Sequence, residues 1–116
     1  MPATVLVLEE NAAVQELIDQ TLRESGHRVL SSKRAAEALE VARRVRIDVL
    51  VAGVLLEVRT QTLVGELRSI QPELRIISIC APDELQEIEC SERLGSPFSL
   101  DDLREAVAAG LDDRGL

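Results

Sequence analysis

Two stretches of the chain are apolar without alternation, Val5 to Leu8 and Val49 to Ala52. A strand wet on one side alternates apolar and polar residues. An unbroken run is what a parallel strand covered on both faces needs. Both runs predict central strands. Arg75-Ile76-Ile77-Ser78-Ile79-Cys80 predicts a further one. Between them the apolar residues recur at helical spacing. Val14, Leu17, Ile18 and Leu22 predict a first helix, with Asn11 as N-cap and Gly26 as its stop. His27 to Leu30 predicts a short second strand. Ala35, Ala38, Leu39 and Ala42 share one face of a second helix, with Ser32 as its cap. Leu63, Val64, Leu67 and Ile70 form the buried stripe of a third helix, capped by Thr60 or Thr62. Gln71-Pro72 ends it, because the residue before proline resists helical backbone. Pro82 opens a short fourth helix to about Ile88. Glu92 to Leu94 is a weak fifth strand. Ser99 caps the last helix, with Asp102 at N3 in the manner of a capping box, and Leu100, Leu103, Val107 and Leu111 face inward.

Strands alternating with helices mean right-handed βαβ units. The expected fold is α/β, a doubly wound five-stranded parallel sheet in the flavodoxin-like order 2-1-3-4-5. The segment Ala81 to Arg93 is barely long enough for a parallel crossover, so the fourth helix is expected to be shortened. The 116 residues make one domain, 1–116. In such sheets the functional crevice lies beyond the carboxyl ends of the strands. At that end the third strand stops at Gly53.

Composition narrows the function. With one Phe, no Tyr and no Trp, aliphatic side chains must fill the core. A net charge of -8 argues against nucleic acid, which needs a clustered basic surface. Arg43, Arg44 and Arg46 do cluster, but at a helix end, where cations complement the dipole. No apolar run approaches the ~20 residues of a membrane span, and no signal peptide is evident. The chain reads as cytoplasmic, with no membrane partner. Cys80 and Cys90 match no metal spacing and read as reduced thiols.

In this order and spacing the segments resemble the receiver domain of two-component response regulators, the CheY-like family, over essentially the whole chain. Val5-Leu6-Val7-Leu8-Glu9-Glu10-Asn11 is similar to the family's first strand and acidic pair. Asp48 to Gly53 is similar to the third strand, which normally ends in the phosphoacceptor aspartate. Ile76 to Ala81 is similar to the fourth strand, which normally ends in Thr or Ser and then Ala. Ser96-Pro97-Phe98 is similar to the Lys-Pro-Phe after the fifth strand. The resemblance implies a carboxylate nucleophile, a magnesium ion on the acidic pair, a lysine and a hydroxyl. Here those positions hold Gly53, the pair Glu9 and Glu10, Ser96 and Cys80. The aromatic expected three residues before the lysine is Arg93. Three chemical parts are missing together, which implies a pseudo-receiver with a degenerate phosphorylation site and no enzymatic activity.

The surviving pair has two readings. Carboxylates beside a helix N-terminus stabilise it by ~0.3–1 kcal/mol. Alternatively, the pair is a weak residual magnesium site. Without a third carboxylate the first is preferred, and no cofactor is expected. Asp48 reads as a solvated turn residue, His27 as a surface residue, and Cys80 as a buried structural thiol. The resemblance also implies a cis Ser96–Pro97 bond. The expected function is a phosphorylation-independent protein–protein interaction module. Its partner would be a signalling protein: a histidine kinase, another regulator, or a second copy. The alternative is a small-ligand or nucleotide-binding regulatory domain using the crevice above Gly53. A short fourth helix would leave strand residues such as Ile77 or Ile79, and Leu85 and Ile88 of the helix, bordering solvent beside the edge strand with its Arg93, and Arg104 and Glu105 at the rim. A symmetric homodimer or partner contact is expected there.

Overall fold

The computed structural model describes residues 3–53, 60–80, 92–95 and 99–113. Strands β1 (Thr4–Leu8), β2 (Arg28–Ser32), β3 (Val49–Ala52), β4 (Arg75–Cys80) and β5 (Glu92–Gly95) pair in parallel, in the order β2-β1-β3-β4-β5. Helices α1 (Ala12–Glu24), α2 (Ala35–Arg44), α3 (Thr60–Ile70) and α4 (Leu100–Asp113) cover the two faces. The short helix expected between Pro82 and Ile88, with Leu85, lies outside the described residues, as do Ser96 and its bond to Pro97.

The unbroken apolar strands are divided by the two-residue period of β-structure. Val5, Val7, Val49, Val51, Ile77 and Ile79 meet Ile18 and Leu22 of α1 and Leu103 and Val107 of α4. Leu6, Leu8, Leu50, Ala52 and Ile76 meet Ala38 and Ala42 of α2 and Leu63, Val64 and Leu67 of α3. Branched valine and isoleucine dominate the first face, and leucine the second. Each fully buried side chain of this size contributes about 1.5–3 kcal/mol. Truncating Leu50, which has no exposed surface, to alanine costs about 2–5 kcal/mol.

Local signals explain three of the helix ends. Asn11 Oδ1 accepts the Val14 N–H at 3.1 Å. Gly26 takes φ +90°, a conformation that suits glycine. It closes α1 with bonds from Gly26 N–H to Arg23 O at 3.0 Å and from His27 N–H to Leu22 O at 3.2 Å. Ser99 Oγ accepts the Asp102 N–H at 3.0 Å.

Other expectations need correction. Ile77 and Ile79 do not border solvent: both are buried in the cluster that α1 and α4 cover. Ser32 does not cap α2. It is the last residue of β2, drawn into the sheet by its register with Leu8, and the N-cap is Arg34, which makes no side-chain cap bond. Leu17 is not on the buried stripe but 50% exposed. The stripe of α1 is centred on Ile18 and Leu22, and buried Thr21 turns its hydroxyl back to the Leu17 carbonyl at 2.8 Å. At the amino end of the sheet Asp48 is half-buried rather than solvated, and its Oδ2 accepts the Thr4 N–H at 2.9 Å. His27 is half-buried too, with Nδ1 accepting the Ala3 N–H at 3.3 Å.

Candidate functional site

Parallel pairing brings the ends of β1, β3, β4 and β5 to one edge of the sheet. Leu8 pairs with Ala52, and Ala52 with Ser78. One residue further, Glu9, Gly53 and Ile79 therefore stand side by side. By alternation all three project to the face of α1 and α4, where Val7, Val51 and Ile77 precede them. The Gly53 N–H donates to Leu8 O at 2.8 Å and the Glu9 N–H to Ser32 O at 3.1 Å, so both backbones are fixed.

Gly53 is buried and carries no side chain. The Glu9 carboxylate has taken that space. A Cβ placed on Gly53 would overlap Glu9 Oε2 and come within 2.8 Å of Glu9 Cδ. Glu9 Oε1 accepts the Asn11 N–H at 3.2 Å, tying the carboxylate to the residue that caps α1. Gln15 on α1 reaches back from the other side, donating from Nε2 to Ser32 O at 2.7 Å and to Glu9 O at 3.3 Å. Burial pushes the Glu9 pKa up, the bond from Asn11 opposes this, and the charge of Glu10 adds to it. Desolvation therefore outweighs the gain that a carboxylate obtains at a helix start.

The other expected site residues are less assembled. Glu10 is half-buried beside Glu9. Among the described residues no group of three His, Cys, Asp or Glu could hold a metal ion. Cys80 ends β4 opposite Gly95, and Arg93 pairs with Ser78, but their side chains lie outside the described set. Arg104 is no free rim cation: its Nη1 pairs with Asp101 Oδ1 of its own helix at 2.8 Å, while Glu105 is exposed. Ser78 Oγ is buried without a protein hydrogen-bond partner among the described residues, one row below Gly53.

A groove of about 550 Å³ lies at the opposite end of the sheet, between the end of α2 and the turn after α3. Its arginines are matched locally. Arg44 pairs with Glu40 at 3.0 Å, Arg43 with Glu40 at 3.5 Å and Arg46 with Glu73 at 3.9 Å. Gln71 lines it. Its Oε1 accepts the Ile47 N–H at 2.8 Å, and its Nε2 donates to Ala42 O at 2.7 Å and Val45 O at 2.8 Å. The sequence pattern marked Gln71 only as a helix end.

No family model matches the chain. It is 28% identical over 109 residues to the probable transcriptional regulatory protein TcrX of Mycobacterium tuberculosis, covering 88% of this chain and 47% of that protein. It is 23% identical to the polar-differentiation response regulator DivK of Brucella anthropi, covering 97% of this chain and 99% of DivK. The chain thus spans about half the length of TcrX and about a quarter of some larger regulators that it also matches. Among solved structures, the receiver domain of a Pseudomonas aeruginosa sensor histidine kinase superposes with a TM-score of 0.85 at 23% identity, covering 97% of this chain and 99% of that domain. That structure holds a magnesium ion in its active-site cleft. No described helix here is long and apolar enough to cross a membrane.

Proposed function

We infer that this chain, a receiver domain of the CheY-like type by its relatives and its fold, works in two-component signalling without accepting a phosphoryl group. Its role is that of a protein–protein interaction module. The observation that carries this reading is the end of β3. Gly53 offers no nucleophile there, and the Glu9 carboxylate fills the volume that an acceptor side chain would need. The sequence adds Cys80 and Ser96 where a hydroxyl and a lysine would read and neutralise the phosphoryl oxygens. Electrostatic stabilisation of transferred charge supplies most of such catalysis, so losing those groups removes more than affinity.

The small-ligand reading would use the crevice above Gly53, where the Glu9 carboxylate takes the space next to the glycine. The partner class is a signalling protein, either a histidine kinase, another regulator or a second copy.

The test is a nuclear magnetic resonance titration with beryllofluoride and magnesium, a phosphoryl mimic that binds acceptor aspartates. The amides of Glu9, Glu10, Gly53 and Ser78 should not shift. Saturable shifts at those amides would refute the reading.

A further inference from the structure

The receiver fold implies a magnesium ion on the acidic pair after β1, and the residues present do not fit one. Magnesium demands near-octahedral oxygen ligands, usually one or two carboxylates with several waters. Here Glu9 has turned inward. Oε2 lies in the place of a Gly53 side chain and Oε1 is engaged by the Asn11 N–H.

We propose that Glu9 is a built-in occupant of the strand-end cleft, admitted by Gly53, and that it keeps the cleft closed to divalent cations. The proposal rests on the phosphorylation-independent reading and says how the vacated acceptor position is used. The geometry makes the two residues a matched pair. Both lie in one row on one face of adjacent strands, and only a residue without Cβ leaves room for the carboxylate. The glutamate reaches this position while its backbone N–H stays bonded to Ser32. Any side chain at position 53 must evict the carboxylate. Because the overlapping atoms are the far end of a flexible chain, eviction is a rotation of Glu9 toward Glu10 and solvent rather than a rebuilding of the sheet.

The test uses Gly53→Ala, which adds a methyl group and no ligand atom. Gly65→Ala is the control, because a Cβ at Gly65 meets nothing within 4 Å. Manganese is the paramagnetic probe. In the wild type and in Gly65→Ala it should leave the Glu9 and Glu10 amides unbroadened. In Gly53→Ala, with Glu9 turned out, the same concentration should broaden both selectively, and Glu9→Gln added to Gly53→Ala should abolish the effect. Equal behaviour of the wild type and Gly53→Ala, broadened or not, overturns the proposal. Should Gly53→Ala fail to fold, Glu9→Ala/Gly53→Ala decides. It folds if the clash is with Glu9, and fails if glycine is needed there for another reason. A phosphorylated wild type would instead overturn the functional reading, whatever manganese does.

Discussion

The carboxylate of Glu9 occupies the volume in which a side chain on Gly53 would stand. The two residues follow paired positions of adjacent parallel strands, Leu8 and Ala52, and project to the same face. A charged group has thus moved into a space bordered by apolar strand residues, and its raised pKa records the cost.

That cost has a sign. The folded chain holds the Glu9 proton more tightly than the unfolded chain does. Stability from this group is therefore fully present below pH 4.5, its ordinary value, and is lost as pH rises through the folded value. Glu9→Gln keeps the volume and the acceptor for the Asn11 N–H and removes the charge. In urea unfolding, Glu9→Gln should gain on the wild type as pH rises from acid to neutral. A difference independent of pH would mean that the carboxylate is as solvated as in the unfolded chain.

His27 should act in the opposite direction. Burial lowers its pKa below 6.5, and its Nδ1 accepts the Ala3 N–H only when unprotonated. Its contribution is present above pH 6.5 and is lost as pH falls through the folded value. His27→Asn, which can offer an oxygen near the Nδ1 position, should flatten that acid limb. Thermal melts of the two proteins from neutral to mildly acidic pH read this directly, and parallel curves would contradict it.

Gln71 is expected to matter more than a half-buried surface glutamine usually does. Its three hydrogen bonds join the end of α2, the entry to β3 and the end of α3. Net hydrogen bonds are worth about 1 kcal/mol each, and orphaned backbone groups cost more, although water in the adjoining groove recovers part. Gln71→Leu should destabilise the fold by about 1.5–3 kcal/mol, measured by the shift in urea midpoint at unchanged slope. A loss below about 0.5 kcal/mol, the usual scale for surface changes, would show that the clamp is replaced by solvent.

Arg104 and Asp101 test the opposite case. Their ion pair is i,i+3 on one helix, with Asp101 largely exposed, so Arg104→Ala should cost at most about 1 kcal/mol. A larger loss in denaturant unfolding would mean that Arg104 packs the helix against the sheet.

Much of the fold was legible because two physical signals were unambiguous. Val5 to Leu8 and Val49 to Ala52 are the unbroken apolar runs that a parallel strand covered on both faces needs, and Asn11, Gly26 and Ser99 carry their capping chemistry locally. Ser32 misled because a serine before an alanine-rich helix is a good cap, while sheet pairing with Leu8, a tertiary event, claims it first. Leu17 misled because spacing alone does not centre a stripe. At the site, the glycine and the acidic pair were visible, but not their contact. Alternation counted from Val7 and Val51 would have put Glu9 and Gly53 on one face. Whether the carboxylate turns in or out depends on a rotamer that no residue pattern records. Gln71 was invisible for a similar reason: its partners lie at Ala42, Val45 and Ile47, far back along the chain.

Whether this receiver-like fold accepts a phosphoryl group is decided by intact-mass spectrometry after incubation with acetyl phosphate and magnesium. The expected spectrum shows the unmodified mass alone, for the wild type and for Glu9→Gln. Gly53→Asp should likewise gain no efficient phosphorylation, because Cys80 and Ser96 still lack the hydroxyl and ammonium roles. A stoichiometric gain of one phosphate on the wild type, removed by hydroxylamine as an acyl phosphate would be, contradicts the account.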